Sequence, residues 1–144
     1  MATRAEAEQE TVSRLSGFMS AVGMAVTYAG SNSDLNSPIG WAVRTAGGTV
    51  GDISNVTDAD VATVSSAKLD DFLDLVELRT IESCMGRNVL VDISASAHRQ
   101  SLGQIGDRMA SRAEALRRSL GKYLAGNITA GSVFHDYIQD LGVE

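Results

Sequence analysis

SSAKLDDFLDLVELRTIESCMGRNVLVDIS, residues 65–94, is the stretch whose reading decides the fold. Ser65-Ser66 reads as the cap of a helix from Ala67 to Met85, closed by Gly86 and Asn88. Leu69, Phe72, Leu73 and Val76 make one apolar stripe, and Leu75, Leu78, Ile81 and Met85 make a second on a different face. One stripe suffices for a surface helix; two call for a central helix, or for one buried partly by its own fold and partly by a neighbour. Beyond the glycine, Val89, Val91 and Ile93 alternate with Leu90, Asp92 and Ser94, the period of a short strand. A lone strand leaves its backbone groups unpaired. The sequence offers no convincing second strand, so a partner in another subunit is expected.

On the C-terminal side the spacing predicts a helix over 97–125. Leu102, Ile105, Met109, Ala113, Leu116, Leu120 and Leu124 share one face, while Arg108, Arg112, Arg117, Arg118 and Lys122 crowd the rest. Gly126-Asn127 stops it, and a glycine-punctuated end follows with Val133, Phe134, Tyr137 and Ile138 as an apolar patch. On the N-terminal side a helix is predicted over 6–28. Its seam is Val12, Leu15, Met19, Val22 and Val26, and Gly17 and Gly23 suit close approach of another helix. Ser37-Pro38 reads as a cap and first-turn proline of a short helix carrying Ile39, Trp41, Ala42 and Val43 and ending at Gly47-Gly48. Trp41 suits either the core or an interface. Thr57-Asp58-Ala59-Asp60 resembles a capping box that opens a helix to about Val64.

The expected fold is therefore mainly α: a compact helical bundle with one short β segment or hairpin around 89–94 and a flexible C-terminal arm. Residues 1–126 form the helical domain and 127–144 a tail or docking arm.

A chain of 144 residues, 44% hydrophobic, is long enough for a real core and is neither disordered nor membrane-like in composition. Net charge is −6, which disfavours wholesale attraction to nucleic acid or anionic lipid. The sign is unevenly spread. Residues 58–82 carry seven acids and two bases, and 98–122 carry two acids and six bases. Such a dipolar subunit suits a basic helix meeting an acidic neighbour. The acidic start is unlike a signal peptide, and no apolar run approaches the roughly 20 residues that span a bilayer.

Chemistry finds little support. Cys84 is the only cysteine and lies in an apolar helical stretch, as a packed thiol would. His98 and His135 are not set beside a nucleophile and an orienting acid. Asp70, Asp71, Asp74 and Glu77 form a carboxylate stripe, but the Glu-x-x-His pair that completes di-metal sites in helical bundles is absent. Gly47-Gly48-Thr49-Val50-Gly51-Asp52 lacks the Gly-Lys-Ser/Thr of a phosphate-binding loop. No enzyme activity, cofactor or metal is expected.

Four segments carry a family resemblance: Thr57-Asp58-Ala59-Asp60-Val61; Phe72-Leu73-Asp74-Leu75-Val76-Glu77-Leu78-Arg79-Thr80-Ile81-Glu82; Val91-Asp92-Ile93; and Ser101-Leu102-Gly103-Gln104-Ile105-Gly106-Asp107-Arg108-Met109. Together, in that order, they resemble the small head–tail connector proteins of tailed bacteriophages, also termed neck adaptors or head-completion proteins. The likeness covers roughly half the chain. It departs at Ser94-Ala95-Ser96-Ala97-His98-Arg99, where a Gly-Pro-Arg-like turn is usual.

The resemblance implies a helical subunit of a homo-oligomeric ring, commonly a 12-mer, that docks on the portal protein and receives the next neck or tail-completion protein. DNA would pass through the lumen without sequence-specific binding, and nothing would be catalysed. The protein would reside at the virion neck, after assembly in the host cytoplasm, with no membrane association. Arg108, Arg112, Arg117, Arg118 and Lys122, with Val133, Phe134, Tyr137 and Ile138, are then the expected subunit or partner interface. Asp70, Asp71, Asp74 and Glu77 are the expected lumen-facing acids. Alternative readings are another virion structural subunit, tail-completion or capsid-associated, and a small helical dimeric regulator.

Overall fold

Thr3 opens the first helix. Its hydroxyl accepts from the Glu6 backbone N–H, and the Glu6 carboxylate accepts from the Thr3 N–H at 2.9 Å, a reciprocal capping box. The computed structural model describes residues 2–94 and 99–126, with side chains placed for 2–87 and 104–124. Its helices are α1 (Arg4–Ala21), α2 (Asn36–Thr45), α3 (Asp58–Val61), α4 (Leu69–Ser94), α5 (Arg99–Ser119) and α6 (Gly121–Gly126). Single 3-10 turns at Ser33–Leu35 and Ser66–Lys68 lead into α2 and α4. The 127–144 tail, with its expected arm, lies outside the described residues.

α4 is the central element and packs against α1, α2 and α5. Both of its stripes are used: Phe72, Leu75, Val76, Leu78, Ile81 and Cys84 are all buried. α1 contributes Val12, Leu15 and Met19, α2 contributes Ile39, Ala42 and Val43, and α5 contributes Met109, Ala113 and Leu116. The seams of α1 and α5 are thus spent within the chain. Thr11 and Thr80, both buried, return their hydroxyls to the carbonyls of Ala7 and Val76 one turn back, which satisfies them without a partner helix.

The expected β segment is not seen, and no strand occurs among the described residues. Residues 89–94 continue α4 instead. Six alternating residues fit a helix extension as well as a strand. Gly86 costs a helix only about 1 kcal/mol, too little to stop one already propagating from a buried core. Gly86 takes no left-handed conformation here, so it does not act as a stop.

α1 ends at Ala21, about two turns before the expected Tyr28. Gly23 adopts φ 77°, and the N–H groups of Gly23 and Met24 return to the carbonyls of Ser20 and Met19. This is a Schellman-type cap, which L side chains disfavour at its left-handed position. Space around Gly17 and Gly23 is open, so neither marks a close helix approach. Val26 falls past the cap and is exposed. Gly47, at φ 95°, closes α2 in the same way. Capping by Thr57 and Asp60 forms as expected, although α3 is a single turn. The expected helix over 97–125 divides at Leu120 into α5 and α6, with hydrogen bonds continuing across the division.

The long loops are held by a buried pair that local pattern does not reveal. Arg4 is 5% exposed and Glu8 is fully buried. Arg4 Nε donates to Glu8 at 3.0 Å, Nη1 to the Asn36 side chain and the Val56 carbonyl, and Nη2 to the Asn32 carbonyl. Glu8 in turn accepts from the backbone N–H groups of Gly30 and Asn32. One residue pair on α1 therefore fixes the loop before α2 and the loop after it. Such a pair is tolerated in a core because its charges and lone pairs are nearly all matched.

Candidate functional site

The carboxylates of α4 and the bases of α5 and α6 meet inside one chain. Glu77 points into the junction of α1, α4 and α5, where its side chain is only 2% exposed. Arg112 reaches it with two bonds, Nε to Oε1 at 2.8 Å and Nη2 to Oε2 at 3.2 Å. Arg14 of α1 donates to the same carboxylate at 2.9 Å and to Asp74 at 2.9 Å. Glu77, expected to face a lumen, is thus buried and held by two guanidinium groups. Its helical position on the α5 side decides this, since Arg112 supplies the charge that lets a carboxylate be buried.

A second cluster lies at the start of α4. Asp71 accepts from the Tyr123 hydroxyl at 2.5 Å and lies 3.1 Å from the Lys122 ammonium. The Tyr123 bond, then Lys122, hold the Asp71 carboxyl below its usual range. The same contact raises the Tyr123 hydroxyl and the Lys122 ammonium. Hydrogen bonding to Glu77 likewise raises Arg112. Burial works against charge on Arg14, yet the bonds to Glu77, Asp74 and Glu10 win and its shift is upward. All of these shifts favour the charged forms of Asp71, Arg14, Arg112 and Lys122, which suits fixed ion pairs rather than proton transfer.

Of the expected interface residues, then, Arg112 and Lys122 are engaged within the chain. Arg108, Arg117 and Arg118 are exposed on the outer face of α5, where Arg118 pairs with Glu114 one turn away. Of the expected lumen acids, Asp71 and Asp74 are paired across helices and Asp70 is exposed. Val133, Phe134, Tyr137, Ile138, His98 and His135 lie outside the described residues. Trp41 is half-buried with the Arg79 guanidinium 5.2 Å above its ring, a cation–π contact at the edge of the core.

A surface that sequence reading missed surrounds α3. Glu6, Asp52 and Asp58 are exposed, with Asp60 beside them. They are drawn together because Asp58 accepts from the Arg4 N–H, while Asp60 accepts from the Gly51 N–H. The capping boxes at Thr3 and Thr57 are the signal for two of these acids, since Glu6 and Asp60 are the carboxylates that close them. The chain thus presents an acidic surface around α3, which packs on α2, and a basic surface on α5, which packs on α4 and α1.

Cys84 is buried with its Sγ 3.4 Å from the Met24 sulfur, and burial pushes its thiol up to about 11. It is a packed thiol with no thiolate character at neutral pH. No group of three or more metal-ligating side chains occurs among the described residues, and none of their helices is long and apolar enough to cross a membrane. No protein-family model, curated protein or solved structure matches the chain.

Proposed function

We propose that this protein is a structural subunit of a tailed-phage neck, an adaptor that forms a homo-oligomeric ring between the portal and the next neck or tail protein. The observation that carries the reading is the charge division of the folded body. α5 is fastened by Met109, Ala113, Leu116 and the Glu77–Arg112 pair, and its outer arginines remain exposed. The acids around α3 lie on different elements. A body with a basic and an acidic surface on separate elements is suited to heterologous, head-to-tail contact, which closes into a ring when the rotation allows. Because Asp71, Asp74 and Glu77 are already engaged, the acidic half of such a contact falls to Glu6, Asp52 and Asp58. The sequence likeness over 57–109 supplies the neck as the place for the ring.

The test is electron microscopy of the protein co-expressed with the portal and tail-completion proteins of its own genome. A rotationally symmetric ring of about twelve copies on the portal is expected. The triple variant Arg108→Glu, Arg117→Glu, Arg118→Glu should remain folded and lose the ring. A discrete dimer with no affinity for the portal would overturn the reading in favour of a regulator.

A further inference from the structure

A shallow groove runs between the start of α1 and α3. It is lined by Ala2, Thr3, Asp58, Ala59 and Ala62, encloses about 250 Å³, and exposes almost nothing but carbon. Past Ala2 and Ala62 it opens into a cleft of mixed polar and apolar character that reaches Ser65, Ser66 and Leu69. Two carboxylates stand beside the groove, and backbone N–H groups fix both. Glu6 accepts from the Thr3 N–H at 2.9 Å, and Asp58 accepts from the Arg4 N–H at 2.8 Å. Each keeps a second oxygen that meets no donor among the described residues. The groove is therefore a narrow apolar strip with negative charge at its edge, and its short side chains let another helix come close.

α5 carries the complement. Gln104, Arg108, Ser111, Ala115 and Arg118 are all exposed and recur at intervals of 4, 3, 4 and 3, one straight stripe along the helix. Met109, Ala113 and Leu116 fill its buried face. Ser111 and Ala115, both small, stand between the two arginines of the stripe, which lie about 15 Å apart along the axis. The acids of this helix, Asp107 and Glu114, lie to one side of the stripe, where Glu114 pairs with Arg118. That exposed pair is worth little, so Arg118 can take another carboxylate at small cost. An apolar groove edged with acids and a small-residue stripe flanked by bases match in charge. Groove and stripe are different surfaces of one chain, the condition for a head-to-tail contact.

We propose that α5 of one copy lies across the α1–α3 groove of the next, with Ser111 and Ala115 over Ala59 and Ala62, and with Arg108 and Arg118 at the carboxylates of Asp58 and Glu6. The proposal rests on the ring reading above and deepens it, narrowing the acidic half of the contact to Glu6 and Asp58.

Disulfide trapping tests it, because the bond forms only where two Cβ atoms come within about 4.5 Å. Ala59 and Ala115 are exposed, so Ala59→Cys and Ala115→Cys leave the core intact, while Cys84 is buried and does not compete. The two single variants are mixed with the portal protein of the same genome, oxidised, and resolved on a non-reducing gel, and electron microscopy records whether a ring is present. Covalent dimers are expected in the mixture and from neither variant alone. Chains of many copies are expected from the double variant Ala59→Cys, Ala115→Cys. Adding Arg108→Glu and Arg118→Glu should cut the trapped fraction about tenfold or more, whereas Arg44→Glu, at an exposed arginine of α2, should not. A ring without trapped pairs would overturn this contact and leave the neck reading standing. Trapped pairs without a ring on the portal would uphold the contact and overturn the neck reading. Absence of both would overturn both. Dimers from Ala115→Cys alone would overturn the contact in favour of a symmetric one through α5.

Discussion

Arg112 on α5 grips Glu77 on α4 through two parallel hydrogen bonds, and half of its own side chain remains in solvent while Glu77 is buried. The asymmetry decides which partner is indispensable. Removing Glu77 frees two guanidinium groups and opens a void among three helices. Removing Arg112 leaves the carboxylate with Arg14, whose side chain is 29% exposed. Glu77→Ala should cost about 2–4 kcal/mol, moderated by rehydration of the arginines. Arg112→Ala should cost about 1 kcal/mol, within the range of a partly exposed pair. Urea unfolding of the two variants checks the order; equal losses would show that Arg14 does not share the load. It follows that charge reversal at Arg112 tests the fold as much as any interface, and that Arg108, Arg117 and Arg118 are the cleaner probes.

The Arg4–Glu8 pair should be the most sensitive polar site in the chain. Arg4→Met strands a fully buried carboxylate and removes donors from the Asn32 and Val56 carbonyls. A loss of about 3–5 kcal/mol is expected. Arg4→Lys should recover little of it, because one ammonium cannot reproduce a planar fork with bonds from three nitrogens. Arg118→Ala, which breaks only an exposed pair one turn apart, should stay within about 0.5 kcal/mol. Thermal melts of the three variants give the comparison.

These two sites also mark what was legible in the sequence. Local chemistry was: Thr57 and Asp60 form the capping box that their spacing implied, Gly47 ends α2, and two apolar stripes made α4 the central helix. Each of those readings needs only residues close together along the chain, within about three helical turns. The roles of Arg4 and Glu77 were not legible, because, Glu8 apart, their side-chain partners lie 28 to 63 residues away and long-range hydrogen bonding has no local period. The same limit explains residues 89–94. Their alternation spans too few residues to separate strand from helix, and the structure of the preceding core decided the matter. Gly23 was seen but given the wrong work, since a cap and a close approach leave the same letter in the sequence. At the candidate interface the exposed arginines of α5 were readable from the helical wheel, but the internal use of Arg112, Lys122 and three of the four acids was not.

Acid should weaken two contacts, that of Asp34 with the loop after α1 and with Arg87, and that of Asp71 with α6. Asp34 is held below the usual carboxylate range chiefly by the Ala25 N–H, and also by Arg87. A folded value below the unfolded one means that its contribution is present above about pH 4 and lost as pH falls through the folded value. Asp71 follows the same sign through Tyr123 and Lys122. Stability measured between pH 6 and pH 2 should therefore fall toward acid, and Asp34→Asn should flatten part of that slope. A slope unchanged in the variant would place the acid sensitivity elsewhere.

Cys84 gives a signal of opposite sign. Burial raises its folded value to about 11, so the unfolded chain releases the thiol proton first as pH rises. Its contribution is intact below about pH 8.5 and is lost progressively above it. In the native protein at pH 8, Cys84 should resist alkylation, reacting at the rate of a free thiol only in denaturant. Cys84→Ser would place a hydroxyl against the Met24 sulfur and should cost about 1–3 kcal/mol, whereas Cys84→Ala, losing only one small buried atom, should cost less. Labelling followed by mass spectrometry distinguishes a packed thiol from an accessible one.

Gly17 and Gly23 lie six residues apart on either side of the end of α1 and should respond oppositely to the same change. A Cβ at Gly17 meets open space inside a regular helix, so Gly17→Ala removes a flexible residue from the unfolded chain and should stabilise by about 0.5–1 kcal/mol. A Cβ at Gly23 also meets open space, but the residue sits at φ 77°, where an L side chain crowds its own backbone. Gly23→Ala should destabilise by about 1–2 kcal/mol. Space cannot explain a difference between two equally open sites, so the backbone angle is the one remaining cause. Opposite shifts in Tm would establish that α1 ends through its left-handed cap at Gly23. Equal stabilisation by both substitutions would mean instead that the helix continues toward Tyr28, and that the loop fixed by Arg4 and Glu8 begins later than residue 22.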